Sequence, residues 1–420
     1  MQNLEKNSVI LVIGYVWPEP KSSAAGSHML SLLRLFKKQN WTVVFSTPAQ
    51  KTEHMINLAD EDIESVEILL NDSSFDKFVS ELNPDLVLFD RFMMEEQFGW
   101  RVEQACPNAM RILDTEDLQC LRGARQHAHK NNRTMAKEDL FSDLAKREIA
   151  AILRSDLSLI ISDFEMELLS ETFKVDRELI HHLPFMLDTR QDTPSSKSFS
   201  ERKNFVTIGN FRHAPNWDSV LFLQEIWPLI RKEIPEAELH IFGSYPPKKA
   251  TALNNTKTGF LVKGWAEDAF EVLANARVCL APLRFGAGIK GKLIDSMVVG
   301  TPSVTTAIGA EGMTGHFSWP GIVANTPQEI AQAAIRLYQN EEQWVDSQTT
   351  AKDILASRYN GDILGESLLN RITKIQENLD QHRKNNFTGA MLRHHTMKST
   401  QFMSRWIETK TQLKQLSDKH

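Results

Sequence analysis

A glycine-rich turn followed by a charged helix, within residues 279–313, holds the side chains of this chain best suited to chemistry. An apolar strand leads into Gly286 and Gly288, and the predicted helix that follows carries Lys292 and Asp295 on one face. A helix start offers unpaired N–H groups and a positive dipole end, which together attract an anion. A lysine in the first turn is unfavourable for the helix itself, so its presence there indicates a bound anion. The pattern therefore predicts a diphosphate beside Lys292 and a ribose hydroxyl beside Asp295. The alternative is an intrahelical salt bridge next to ordinary loop glycines.

The composition is that of an ordinary globular chain. Its 420 residues suffice for two domains, and 41% hydrophobic with 24% charged residues is typical of soluble proteins. A net charge of −6 gives no overall attraction to nucleic acid or to an anionic membrane, although residues 383–420 carry about +6. Three scattered cysteines predict neither a disulfide framework nor a zinc site. Without a signal-peptide layout or a membrane-length apolar run, we expect a cytoplasmic protein.

Strands and helices alternate through the first half of the chain, which predicts a doubly wound parallel α/β sheet. A polar helical region over 118–153 interrupts the strand series. The predicted strands are 8–15, 41–48, 84–92, 109–114 and 156–162.

A second alternating series follows a proline- and serine-rich stretch. Its predicted strands are 204–211, 238–245, 260–265, 277–283 and 303–309. Its predicted helices are 217–233, 266–276, 289–299, 326–340 and 342–357. Two tandem Rossmann-like domains would then face a central cleft, since ligands of open α/β sheets bind at the carboxyl ends of the strands. We expect an acceptor domain over 1–190, a linker over 191–204, a donor domain over 205–376 and a basic tail over 377–420.

These motifs together resemble the group 1 (retaining, GT-B fold) glycosyltransferases, which use a nucleotide-sugar donor. The resemblance covers residues 8–375 and is strongest in the second half. It is carried there by GAGIKGKLIDSMVVGTPSVTT with GAEGM after it, by GNFRHAPNWDSV and by VKGW. In the first half, DRFMMEEQFGWR and RILDTEDLQCLRGAR are similar to one bacterial branch of the family.

The resemblance implies a donor site in the second domain. Arg212 and Lys292 would neutralise the diphosphate, Asp295 would bind the ribose, and Trp265 would lie near the base, unless Arg212 is a solvated loop residue and Trp265 a half-buried aromatic. Asn216 is more simply explained, like Asp218, as a helix cap. The remaining predicted donor-binding residues are Gly26, Gly209, Gly243, Gly286, Gly288, Lys290, Gly309 and Glu311.

The acceptor hydroxyl would meet the first domain. His28 and the turn Asp114–Asp117, which includes Glu116, are the candidates, with an exposed histidine and a surface acidic turn as the simpler explanations. Arg122 and Arg125 would then either bind a phosphate or neutralise the negative charge of that acidic turn.

Two departures separate this chain from the family pattern. The family places two acids eight positions apart, and here these positions are Ala287 and Asp295. Ala287 cannot hydrogen-bond the transferred sugar, so either the amides of Gly286 and Gly288 replace the missing acid or the activity is altered. The usual spacing of arginine and lysine after the first donor-domain strand is also absent.

The expected partners are a nucleotide sugar and a glycan or lipid-linked acceptor, in polysaccharide precursor synthesis, without nucleic acid, cofactor or metal. The basic tail, which contains interspersed Met, Phe, Trp and Ile, would pack on the first domain or contact a membrane peripherally. A non-hydrolysing sugar-nucleotide epimerase and a non-catalytic GT-B assembly module remain the alternatives.

Overall fold

Two parallel sheets in tandem organise the chain, as a computed structural model describes it for residues 7–188 and 197–417, without the side chains of 395–397. The first sheet has the strand order β3-β2-β1-β4-β5-β6-β7. Its strands are β1 (Val9–Ile13), β2 (Thr42–Thr47), β3 (Glu64–Glu67), β4 (Leu86–Asp90), β5 (Met110–Asp114), β6 (Leu157–Ile160) and β7 (Ile180–His182). Alternating apolar strands and amphipathic helices bury both faces of such a sheet.

The helices of the first domain cover both faces of this sheet. They are α1 (Ala24–Lys38), α2 (Ser74–Leu82), α3 (Phe92–Ala105), α4 (Gln119–Lys130), α5 (Asp143–Arg154) and α6 (Asp163–Glu167). Short 3-10 turns lie at Leu58–Glu61, Lys137–Leu140 and Arg177–Leu179, and α6 continues into a π-helical turn at Leu168–Thr172.

The second sheet has the order β10-β9-β8-β11-β12-β13. Its strands are β8 (Lys203–Ile208), β9 (Leu239–Phe242), β10 (Phe260–Gly264), β11 (Ala276–Ala281), β12 (Ser303–Thr305) and β13 (Gly321–Val323). A 3-10 turn at Phe199–Glu201 precedes it. The helices are α7 (Ala214–Glu233), α8 (Lys248–Thr251), α9 (Ala269–Asn275), α10 (Gly291–Val298), α11 (Ala307–Ala310), α12 (Pro327–Gln339) and α13 (Glu341–Arg358). Tandem Rossmann-like domains, the predicted fold, are confirmed.

The chain returns to the first domain after the second. Three helices complete it: α14 (Gly361–Gln376), α15 (Leu379–Asn385) and α16 (Phe387–Ser417). Leu368 and Ile372 of α14 share one apolar core with Ile10 of β1, and α16 packs against α3 and α5. Residues 191–196 of the predicted linker lie outside the described residues. None of the described helices is long and apolar enough to cross a membrane.

Candidate active site

The predicted donor site lies at the carboxyl ends of the strands of the second sheet. Gly209 follows β8, Gly243 follows β9, and the loop 282–290 joins β11 to α10. A Cβ at position 209 would lie 2.9 Å from the Nζ atom of Lys292, so the first glycine and the helix start face each other. The parallel sheet thus assembles segments that are distant in sequence at one edge, as ligand sites of open α/β sheets require.

Lys292 is held by an asparagine and not by the neighbouring acid. Its Nζ atom donates to Oδ1 of Asn216 over 2.8 Å, and the Asn216 amide donates in turn to the Asn210 carbonyl over 3.0 Å. Burial lowers the pKa of Lys292 to about 8, against a smaller opposing effect of Cys279. A cation that burial makes costly becomes more favourable beside a diphosphate. The intrahelical salt bridge considered from the sequence does not form.

Asp295 projects from the same helix without a partner among the described residues. Burial raises the pKa of its carboxyl group to about 7. A half-buried carboxylate without a cation is an acceptor available to a ligand, such as the hydroxyl groups of a ribose.

Asn216 and Asp218 do not cap their helix, so that expectation is wrong. Helix α7 begins at Ala214 with His213 as its N-cap, and both residues therefore lie inside it. Asp218 instead accepts two hydrogen bonds from Arg284, over 2.9 and 2.7 Å, in the donor loop. Both side chains consequently position the loop and helix of the predicted site.

The other predicted cations have protein partners. Arg212 is exposed, and its guanidinium carbon lies 3.5 Å from the ring centroid of Tyr245. Lys290 donates to the Gly288 carbonyl over 2.7 Å, and burial lowers the pKa of its ammonium group to about 8. Contact with a diphosphate stays a prediction for both residues.

The first domain contacts the glycine loop directly. Arg125 donates to the Gly286 carbonyl over 2.9 Å and to both oxygens of Glu311 over 2.7 and 2.8 Å. The Gly288 amide donates to Oε1 of Glu165 over 2.9 Å. Glu311 and the Gly288 amide, both predicted to hold the donor, are therefore engaged across the domain interface.

Three further predicted residues also have partners. The Gly26 amide, which the sequence places in a loop, lies in α1 and donates to the capping hydroxyl of Ser23 over 3.1 Å. The Gly309 amide likewise donates to Thr306, which caps α11. Trp265 stacks on the first-domain ring of His54, with centroids 3.9 Å apart and planes 4° apart. An aromatic stack is the contact a nucleotide base would make there, and His54 makes it in this structure.

A buried group of ionisable side chains lies at the carboxyl ends of the first-domain strands. His28 is 2% exposed, so the expectation of an exposed histidine is wrong, and its Nε2 atom lies 3.7 Å from Oδ1 of Asp114. Burial alone would lower the pKa of His28, but Asp114, Glu116 and Asp90 raise it to about 9. Burial and neighbouring acids raise the pKa of Glu116 to about 8. This edge therefore holds a protonated imidazole among acids.

The acidic turn is neutralised by one of its two arginines. Nε of Arg122 lies 2.8 Å from Oδ2 of Asp117, which agrees with the expectation that an arginine neutralises the turn. Arg125 instead contacts Glu311 of the second domain. Asp117 also borders the donor loop, because a Cβ at Gly288 would lie 2.9 Å from the Asp117 Cβ.

A protein-family model matches part of the second domain. Residues 202–340 match the family model described as Glycosyl transferases group 1. The match lies in the second domain and covers about a third of the chain. The first domain lies outside the matched residues, in keeping with a resemblance that is stronger in the second half of the sequence.

Solved glycosyltransferase structures share the fold over nearly the whole chain. Alr3699/HepE from Anabaena, solved with UDP and glucose, is 11% identical with a TM-score of 0.66, over 87% of this chain and 99% of that one. WaaG, a glycosyltransferase involved in lipopolysaccharide biosynthesis, is 13% identical with a TM-score of 0.58, over 86% and 98%. At such identities the likeness concerns the fold.

One curated relative matches part of this chain. It is a Klebsiella pneumoniae protein described as an uncharacterized 44.6 kDa protein in the cps region, 24% identical over 192 residues. The match spans 43% of this chain and about half, 48%, of the relative.

Sequence reasoning did not find Glu165 and His54, with which the first domain contacts the second. Glu165 lies 123 positions from its partner Gly288, in a short helix that carries no motif. His54 likewise stands in an irregular segment. The protein also has a surface cavity of about 550 Å³ beside α6, lined by Asp163, His182 and Gly312 among others, and no predicted site residue lines it.

Proposed function

We propose that this protein is a retaining glycosyltransferase that moves a sugar from a nucleoside-diphosphate sugar to an acceptor hydroxyl group. The observation that carries the proposal is the pair Lys292 and Asp295 at the start of α10. One is a buried cation on a neutral partner, and the other is an acid without a partner. A diphosphate and a ribose are complementary to these two groups.

Charge neutralisation at the leaving diphosphate is the main contribution of the second domain. Negative charge grows on the diphosphate as the glycosidic bond breaks, and a preoriented cation in a dry site stabilises that charge most. Asn216 fixes the Lys292 ammonium group for this purpose. The first turn of α10 adds its positive dipole end.

The state of His28 supports retention of configuration. A base that removes the acceptor proton must be unprotonated, but the pKa of His28 is raised to about 9. At neutral pH this imidazolium therefore donates a hydrogen bond to an acceptor oxygen and takes no proton from it. In the retaining mechanism proposed for this family, the leaving phosphate accepts the proton of the acceptor hydroxyl, on the face of the sugar that the nucleotide leaves.

A glycan or lipid-linked saccharide is the proposed acceptor, in the synthesis of a polysaccharide precursor. The buried edge of Asp114 and Glu116 offers carboxyl groups to sugar hydroxyls. Fold likeness to WaaG, which is involved in lipopolysaccharide biosynthesis, supports this class of acceptor.

Helix α16 is proposed as a peripheral contact with the inner face of an anionic membrane. Phe402, Trp406 and Leu413 recur at helical spacing, and their exposed fractions are 63%, 58% and 63%. The basic residues Lys398, Arg405, Lys410 and Lys414 lie along the same helix. Aromatic side chains that insert into the interface and lysines that attract anionic lipid are the features of an interfacial helix.

Donor binding and hydrolysis test the enzymatic proposal. A thermal-shift panel of UDP-, GDP- and ADP-sugars should identify the donor, since a ligand at 100 times its Kd stabilises by about 2.7 kcal/mol. Slow release of the nucleoside diphosphate is expected. Epimerisation without release would support the epimerase instead, and binding without turnover a non-catalytic module.

Substitution of Lys292 tests the donor site itself. Lys292→Ala should abolish donor hydrolysis, because the leaving diphosphate loses its cation. The circular dichroism spectrum should stay unchanged, which shows that the variant is folded. Lys232→Ala, at the exposed far end of α7, is the matched control and should hydrolyse normally. Near-normal hydrolysis by Lys292→Ala would overturn the assignment.

Proton NMR of the first sugar released tests retention. An α-linked donor should give the α-anomer before mutarotation, whereas initial release of the β-anomer would establish inversion.

Vesicle flotation tests the membrane contact. Binding to phosphatidylcholine vesicles with 30% phosphatidylglycerol, but not to pure phosphatidylcholine, is expected at about 0.15 M salt. Phe402→Asp should abolish it, whereas Ile363→Asp, which changes an equally exposed apolar residue on α14, should not. Equal flotation of both variants would contradict the proposal.

A further inference from the structure

We propose that Glu165, from the first domain, supplies the carboxyl group that the donor loop lacks at Ala287 and holds a hydroxyl group of the transferred sugar. The inference rests on the proposed transferase function and identifies a sugar-binding residue for it. It makes recognition of the sugar depend on contact between the two domains.

One oxygen of Glu165 is fixed on the donor loop. Oε1 accepts the amide of Gly288 over 2.9 Å and the amide of Leu118, in its own domain, over 3.0 Å. The residue is 0% exposed, and its own amide donates to the capping hydroxyl of Ser162. Its carboxyl group is therefore held by the backbone of both domains, one residue from the position of the missing acid.

The second oxygen is available to a ligand. Oε2 is buried and has no hydrogen-bond partner among the described residues. A buried polar oxygen without a partner is unfavourable, so a hydroxyl group that hydrogen-bonds to it is stabilised there. The carboxyl group contacts the donor loop at Gly288 and is close enough to Asp117 for the two groups to interact electrostatically.

The protonation state suits a sugar hydroxyl. Burial, with help from Asp117, raises the pKa of Glu165 to about 8, against the opposing effects of the two amides and Lys290. The group is consequently a neutral carboxylic acid at pH 7 and can both donate and accept a hydrogen bond. Hydroxyl groups, which also do both, are complementary to it.

The small residues of the loop permit this contact. Ala287 is 9% exposed and packs into the apolar core of the first domain. Gly288 has φ +61°, and a Cβ there would lie 2.9 Å from the Asp117 Cβ and 3.2 Å from Cγ2 of Ile161. A larger residue at either position would push the loop away from Glu165. The small residue at position 287 therefore both lacks the acid of the family pattern and leaves room for Glu165 of the first domain to contact the loop.

The test compares the affinities for a nucleoside diphosphate and for its sugar adduct, by calorimetry. The probes are UDP with UDP-glucose, GDP with GDP-mannose and ADP with ADP-glucose. In Glu165→Ala, the Kd of the sugar adduct should rise about tenfold, the loss of about one hydrogen bond, while the Kd of the nucleoside diphosphate stays unchanged.

Glu148→Ala is the matched control. Glu148 is equally buried in the first domain, at 1% exposure, and accepts two backbone amides, those of Gln119 and Cys120, over 2.9 Å each. Its substitution removes a similar carboxyl group without touching the donor loop, so the ratio of the two Kd values should stay as in the wild type. An unchanged ratio in Glu165→Ala, or equal weakening of both ligands, would overturn the inference.

A second variant covers the case in which Glu165→Ala fails to fold. Glu165→Gln keeps the shape and the amide contacts, and the ratio of the two Kd values should become independent of pH between 7 and 9, where that of the wild type changes. The same pH dependence in both proteins would contradict the inference. If no nucleotide binds the wild type at all, the proposed function fails, and this result is distinct from the previous ones.

Discussion

Opposite pKa shifts on one helix face should give donor binding a narrow pH range. The pKa of Asp295 is raised to about 7 by burial, and that of Lys292 is lowered to about 8 by burial. In the proposed donor site, the carboxylate that would accept ribose hydroxyls is lost below pH 7, and the cation that would hold the diphosphate is lost above pH 8. We predict that the affinity for a nucleotide sugar, measured by calorimetry, is highest between pH 7 and 8 and falls on both sides.

Two substitutions assign the two limbs of this profile. Asp295→Asn should remove the fall on the acid side, and Lys292→Met should reduce the fall on the alkaline side, to which Glu165 also contributes. A nucleotide sugar is the appropriate probe, because it lacks the terminal phosphate that titrates near pH 6. A flat profile for the wild type between pH 6 and 9 would contradict the prediction.

At the residue scale, the sequence revealed local chemistry and missed partners that are distant along the chain. Lys292 and Asp295 are visible because the spacing of a strand, a glycine turn and a helix start is a local pattern. Asn216 was visible too, but the helix begins at Ala214 and not near Trp217, which turns a supposed cap into the partner of Lys292. Glu165 gives no local signal, because its role depends on the approach of another domain.

At the scale of elements, the return of the chain to the first domain depends on a buried ion pair. Arg383 of α15 donates to both oxygens of Asp156 over 2.9 and 2.8 Å, and also to the carbonyls of Pro107 and Ala109. Burial would raise the pKa of Asp156, but Arg383 and Arg111 hold it below its ordinary value. The pair therefore stabilises the fold above the ordinary aspartate pKa, and its contribution is lost as the pH falls through the lower, folded value.

We predict that Arg383→Ala lowers the free energy of unfolding by about 3 kcal/mol at pH 7, because it leaves a buried carboxylate short of one cation. Its acid unfolding midpoint should move to higher pH. Arg371→Ala is the control, since Arg371 of α14 pairs with Glu178, whose side chain is 64% exposed, and should cost less than about 1 kcal/mol. Equal losses in urea unfolding of the two variants would contradict this account.

The strands that the sequence did not predict lie at the edges of the two sheets. β3 (Glu64–Glu67) is mostly exposed, and β7 (Ile180–His182) and β13 (Gly321–Val323) have three residues each. Each lies at the edge of its sheet, where one neighbour is enough and no long apolar run is needed. The central strands are buried on both faces and therefore show continuous apolar runs, which is why the fold could be predicted from them.

At the scale of the whole molecule, the two domains form one site only when they are in contact. The first domain contributes Glu165 and Arg125 to the donor loop and His54 to Trp265. The family model covers the second domain alone, so it describes the donor half of this arrangement and none of these contacts. In the proposed transferase, contact between the domains joins the proposed donor half to the proposed acceptor half.

Two glycines with the same backbone conformation test whether the donor loop controls closure. Gly288 and Gly264 have φ of +61° and +77°, so an alanine at either position costs about 1–2 kcal/mol of backbone strain. A Cβ at Gly264 meets no atom within 4 Å, whereas one at Gly288 overlaps Asp117 of the other domain. Gly288→Ala should therefore increase the radius of gyration in small-angle scattering, and Gly264→Ala should leave it at the wild-type value. If both variants scatter like the wild type, the loop does not set the distance between the domains, and closure depends on Arg125 and Glu311 instead.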